Sequence, residues 1–151
     1  MSERLLVTGV DGLKGVVGQH IGYSDWHEVT QEQVNLFAEA TGDHQWIHVD
    51  VERAAKGPFG GTIAHGYLTL SLIARFGGEL FKVQGVSASL NYGVNKVRFP
   101  APVPVGSKIR AGATVADAQR HDNGVQVSLQ WVIEIEAVSY THLTLPTIYS
   151  V

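Results

Sequence analysis

The stretch that decides the fold is residues 67–81, "YLTLSLIARFGGELF". Leu68, Leu70, Leu72, Ile73, Phe76 and Leu80 place apolar side chains almost all the way round a helix. A helix of that kind is buried inside a domain rather than laid on its surface. It is too short and too interrupted to span a bilayer. Something must wrap it, and the following sequence supplies the wrapping. Val86, Ala88, Leu90, Tyr92 and Val94 alternate, then the phase slips near Gly93 and Asn95 to Val97 and Phe99, which reads as a β-bulge. Ile109, Ala111, Ala113 and Val115 alternate again, "DNG" at 122–124 supplies a hairpin turn, and Val125 to Ile135 alternate strictly. Helices first, then a meander of long antiparallel strands, is an α+β domain in which a curved sheet wraps one apolar helix.

Upstream, residues 27–42 read "HEVTQEQVNLFAEATG". Thr30 caps a helix, Gln33 is placed to reach back as its capping-box partner, and Gly42 stops it. Val34, Phe37, Ala38 and Thr41 fall on one face. A second short turn is expected over 50–57, capped by Asp50 and stopped by Gly57.

Composition narrows the class. At 151 residues, 44% hydrophobic and 17% charged, the chain is expected to be one globular domain. A formal charge of −3 gives no reason to expect nucleic acid or an anionic membrane as partner. There is no cysteine, so disulfide and thiolate chemistry are excluded. The N-terminus lacks a signal-peptide pattern, and the expected location is cytoplasmic. Residues 138–151, "VSYTHLTLPTIYSV", contain no Asp, Glu, Lys or Arg, and 138–147 read as the in-frame translation of a sequencing adapter. The expectation is therefore one domain over 1–137 and a non-native tail over 138–151; the alternative is a genuine β-rich terminus.

Candidate chemistry lies beside the first helix. Asp43 and His48 flank a loop, and a histidine with a carboxylate nearby is a general acid/base pair in waiting. Both are also ordinary loop residues. Gly66, at the start of the apolar helix, offers a free amide that a ligand carbonyl can approach closely, as in an oxyanion hole, or it merely opens a crowded helix. Ser71 is one turn further in, with a hydroxyl that the carbonyl four residues back can satisfy. His44, His48, Asp43 and His65 raise the question of a metal, but "HQWIH" lacks the glutamate of the metalloprotease pattern and no metal is expected. The glycine-rich "KGPFGGT" at 56–62 is not a phosphate loop, since no Gly-Lys-Ser/Thr follows.

Taken together, "FAEATGDHQWIHVDVERA" (37–54) resembles the hydratase-2 motif of MaoC-like proteins, the (R)-specific enoyl-CoA hydratases and 3-hydroxyacyl-thioester dehydratases. That motif runs aromatic, then Gly-Asp-x-Asn-Pro-x-His. "GGTIAHGYLTLSLI" (60–73) and "LNYGVNKVRFPAPVPVGSKIR" (90–110) resemble the segments that follow it, so the likeness spans 21–136. The resemblance implies a hot-dog fold, paired into a homodimer, and a cofactor-free hydro-lyase acting on acyl-CoA or acyl-carrier-protein thioesters. It implies that Asp43 and His48 activate water, that the Gly66 amide holds the thioester carbonyl, and that Ser71 supports the site by hydrogen bonding. The motif's Asn-Pro is Gln45-Trp46 here, which removes a proline and brings an aromatic onto the expected acyl or pantetheine path. Exposed Lys56, Lys96 and Arg98 are candidate phosphate contacts, or solvated surface charges. Relatives continue with one more strand after "WVIEIE", and its replacement by the tail is expected to expose a sheet edge. The rival readings are a hot-dog thioesterase, whose acid would stand on the central helix where only Glu79 is available, and a non-catalytic acyl-binding or dimerisation module.

Overall fold

Strict alternation makes the sheet. In the computed structural model, which describes residues 3–136 and the backbone of 143–150, β6 (Lys108–His121) and β7 (Gly124–Ile135) form one long antiparallel hairpin. Ile109, Ala111, Ala113 and Val115 share a buried face with Val125, Val127, Leu129, Trp131, Ile133 and Ile135. Volumes complement across the ladder: Ala113 stands opposite Trp131 and Ala111 opposite Ile133. Small residues beside large ones leave room for a helix to lie on the sheet.

That helix is α5 (Gly66–Ser71) continued by α6 (Ile73–Leu80), with Leu72 joining them. Leu68, Leu72, Ile73, Phe76 and Leu80 enter one core cluster with the β6–β7 face. Before it come β1 (Leu5–Thr8), α1 (Gly9–Gly15), β2 (His20–Tyr23), β3 (His27–Glu28), α2 (Gln31–Thr41), α3 (Trp46–Val49) and α4 (Val51–Ala55). After it come β4 (Phe81–Gln84), β5 (Leu90–Val94) and, beyond β7, β8 (Leu143–Ser150). The main sheet runs β2-β6-β7-β8-β5, with β3 also paired to β6, while β1 and β4 pair in parallel beside it. Among the described residues no helix is long and apolar enough to cross a membrane.

Four expectations change. The apolar helix is covered on one side only: Tyr67, Ser71, Ala74 and Arg75 are exposed. A sheet contacts one face of a helix, so the opposite stripe stays open in a single chain. Three short strands and the short helix α1 precede α2, because strands of two to four residues and a seven-residue helix carry too little periodicity to announce themselves. The strand expected from Val86 begins only at Leu90 and ends at Val94; its irregularity falls between Asn91 and Gly93, and Pro100, Pro102 and Pro104 keep the chain beyond it from donating to a ladder. Finally, β7 is not left as an edge. β8 pairs with it from Gln126↔Ser150 to Ile133↔Leu143, and with β5 on its other side. A ladder is built from backbone groups, so a segment without charged side chains can form it. The expected start of the non-native tail, at 138, lies outside the described residues.

Phe76 is fully buried at the contact of helix and sheet. Phe76→Ala is expected to lower unfolding free energy by roughly 3–5 kcal/mol, measured by urea denaturation. A loss under about 1 kcal/mol would mean that the helix does not pack as described.

Candidate active site

The site is assembled from the end of one helix, one short turn and the segment that leads into the central helix. Thr30 caps α2 by accepting from the Gln33 amide at 3.2 Å. Gln33 does not complete the capping box; its Oε1 accepts instead from His27 Nε2 at 3.0 Å. Gly42 ends the helix with φ 77°, a left-handed cap that glycine adopts without strain. The chain then turns, leaving the Asp43 side chain exposed, and winds into α3, which carries His48 inward to near-complete burial.

A buried imidazole needs partners for its nitrogens. His48 Nδ1 lies 2.7 Å from the Ile63 carbonyl oxygen. A carbonyl only accepts, so Nδ1 carries the hydrogen and Nε2 of the neutral ring holds a lone pair. His65, also buried, stacks on His48 with ring centroids 3.9 Å apart and planes 25° apart. His65 Nε2 donates to the Asp43 backbone carbonyl at 2.9 Å, and Phe37 flanks the ring at 5.0 Å. One side-chain donor atom from each of Asp43, His48 and His65 lies within 4.8 Å of the others. The sequence therefore separates what the fold brings together.

That closeness also satisfies the spacing of a metal site, but the ring orientations do not suit one. An imidazole lone pair lies in the ring plane, and two nearly parallel stacked rings cannot both aim at one ion at the usual distance of about 2.1 Å. His44 is exposed and sits 3.7 Å from Glu39.

The other residues distribute unevenly. Gly66 opens α5, and a Cβ built there would meet the Phe99 ring at 3.0 Å. What approaches this glycine closely in the structure is an aromatic ring. Ser71 donates to the Tyr67 carbonyl four residues back at 2.7 Å. It lines a groove of about 280 Å³ with Leu70, Ala74 and the β5 residues Asn91 and Tyr92, a group that includes neither Asp43 nor His48. Trp46 lies under the Arg53 guanidinium, 4.4 Å from its ring centroid, and against Gly57, pinning α3 to α4. Lys56, Lys96 and Arg98 are exposed.

Residue types alone did not reveal Gln31 or Phe99, and they marked His65 only as a potential ligand. Gln31 Nε2 donates to the His48 carbonyl at 2.8 Å, while its Oε1 accepts from the Thr62 hydroxyl at 2.6 Å. Its only sequence signal is its place just after the Thr30 cap, where glutamine reads as a plain helix former.

Comparison with known proteins places these observations. A family model described as MaoC like domain matches residues 13–136. The chain is 55% identical over 128 residues to 3-hydroxyacyl-thioester dehydratase Z of Mycobacterium tuberculosis, a match covering 84% of this chain and 85% of that protein. Among solved structures, an unliganded R-hydratase from Pseudomonas aeruginosa superposes with a TM-score of 0.73 at 22% identity, covering 89% of this chain and 80% of that one. An (R)-hydratase from A. caviae involved in PHA biosynthesis gives 0.72 at 23% identity, covering 89% and 96%. The structural likeness is to the hot-dog fold, as the sequence resemblance implied.

Gln31→Ala would leave the Thr62 hydroxyl and the His48 carbonyl without this partner. A loss of roughly 1–3 kcal/mol in unfolding free energy is expected by denaturant titration. An unchanged midpoint would mean that the clamp carries no weight.

Proposed function

This chain belongs to the MaoC-like family, and on that premise we propose that Asp43 and His48 are the acid/base machinery of a hydro-lyase. The reaction is the reversible hydration of trans-2-enoyl thioesters to (R)-3-hydroxyacyl thioesters. The observation that carries the residue assignment is the tautomer of His48. With Nδ1–H committed to the Ile63 carbonyl, Nε2 keeps its lone pair, and a ring nitrogen of His48 lies within 4.8 Å of a carboxylate oxygen of Asp43.

In the hydration direction a water sits between the two groups. His48 Nε2 accepts one of its protons while the Asp43 carboxylate accepts a hydrogen bond from the other. The resulting hydroxyl bonds to C3 of the enoyl group, and the C2–C3 π electrons move toward the thioester carbonyl oxygen. The amide of Gly66, at the start of α5, is the donor assigned to that developing negative charge. His48 then returns its proton to C2. The sum is H on C2 and OH on C3, and the reverse sequence releases water.

The substrate is an acyl thioester carried on CoA or on a carrier protein. Lys56 and Arg98 are assigned to phosphate contacts, on the strength of their charge and exposure. Trp46 is assigned a place along the acyl or pantetheine path, half-buried beside His48 in α3. Ser71, bonded to its own helix, is assigned to the groove that it lines. A homodimer is the assembly that suits β5, a terminal strand of the main sheet whose Leu90, Tyr92 and Val94 are exposed. The domain is assigned to 1–137, with 138–151 as the adapter-derived tail.

The test is loss of enoyl-thioester absorbance with crotonyl-CoA and longer enoyl-CoAs. Asp43→Asn and His48→Gln are each expected to lower kcat/KM by roughly 10²–10⁴-fold. Either variant retaining activity within tenfold of the unaltered chain would remove that residue from the chemistry.

A further inference from the structure

We propose that His65 is a positioning residue for this reaction: its ring sets where the Asp43 carboxylate stands relative to the base nitrogen of His48. The inference rests on the reading of Asp43 and His48 as the acid/base pair and adds the group that holds them in register.

Asp43 needs such a group. It follows a left-handed glycine cap, its side chain is exposed, and its own local ties are long. Its amide donates to the Thr41 hydroxyl at 3.4 Å, and its Oδ1 accepts from the Gln45 amide at 3.4 Å. The bond from His65 Nε2 to its carbonyl, at 2.9 Å, is far better placed. It comes from a ring only 2% exposed, at the residue that leads into the central helix. The same ring lies face to face with His48 at 3.9 Å. One rigid side chain therefore touches the backbone of the acid and the ring of the base. The separation of the two catalytic groups is set by a scaffold element rather than by the loop that bears them.

A second observation separates this role from simple packing. Because Nε2–H is given to the Asp43 carbonyl, Nδ1 of the neutral ring is left as an acceptor, and among the described residues it is buried with no hydrogen-bond partner. An apolar ring of similar size would fill the same space without that orphaned nitrogen. For stability alone, phenylalanine would be the better residue here. What phenylalanine lacks is the N–H that holds Asp43.

The deciding experiment compares His65→Phe, which keeps the ring and loses the donor, with His65→Gln, which keeps an N–H donor and loses the ring. Crotonyl-CoA hydration and thermal melting are measured for both, beside His48→Gln. His65→Phe is expected to melt at the same temperature as the unaltered chain or higher. Its kcat is expected to fall by roughly 10–100-fold, the order that a small misplacement of reacting groups costs, with KM within about twofold. His65→Gln is expected to recover at least fivefold in kcat over His65→Phe. A folded His65→Phe with unchanged kcat overturns the inference. So does a His65→Phe that melts lower or fails to fold, since His65 would then be holding the core, and so does a His65→Gln no better than His65→Phe. If His48→Gln itself keeps full turnover, the acid/base reading falls first; if it is inactive and His65→Phe is not, only the positioning role falls.

Discussion

The hydrogen bond from His48 Nδ1 to the Ile63 carbonyl is the contact on which the site depends. It crosses fifteen residues of sequence at 2.7 Å in a buried setting. It fixes the tautomer, and hence leaves the lone pair on the other ring nitrogen. It also ties the loop after α2 to the strand-like segment that feeds the central helix. The backbone reinforces it: the Ile63 amide donates to the Ile47 carbonyl, and the Ala64 amide to the Val103 carbonyl. Segment 62–65 is therefore held from both sides before it enters α5. The His48 ring takes its orientation from that fixed backbone.

The core of the fold was legible because two periods coincide with two kinds of burial. In β7 every second residue from Val125 to Ile135 is inside and each of those residues is apolar, and in β6 Ile109, Ala111, Ala113 and Val115 repeat the pattern. The helix was legible as a helix but not as a half-covered one. Leu70 and Ala74 are as apolar as their buried neighbours, and no pattern distinguishes an open face from one packed on its own sheet. The strands before α2 were illegible for a different reason. His20–Tyr23 and His27–Glu28 are strands because β6 offers them an edge, and that is a property of distant residues.

The site divides along the same line. Asp43 and His48 were marked by residue type, and the family motif joined them. His65 and Gln31 act through backbone carbonyls, which every residue possesses, so nothing at their partners' positions signals the contact. Phe99 covers Gly66 across thirty-three positions of sequence, and only the path of the irregular segment after β5 reveals it.

Those backbone contacts explain how the loop tolerates its departure from the motif. Where the family pattern has Asn-Pro, this chain has Gln45-Trp46. Proline would stiffen the loop by fixing φ. Here rigidity comes from outside: His65 holds the Asp43 carbonyl, Gln31 holds the His48 carbonyl, and the Ile63 carbonyl holds the His48 ring. Two of these three contacts are to main-chain atoms of the loop, which a change at 45 or 46 does not remove. Trp46 adds a brace of its own, wedged between the Arg53 guanidinium and Gly57, where even a methyl group would collide with the indole at 3.0 Å. The geometry that proline would impose locally is thus imposed by tertiary contacts, and the loop sequence is free to change so long as its carbonyls stay where His65 and Gln31 can reach them.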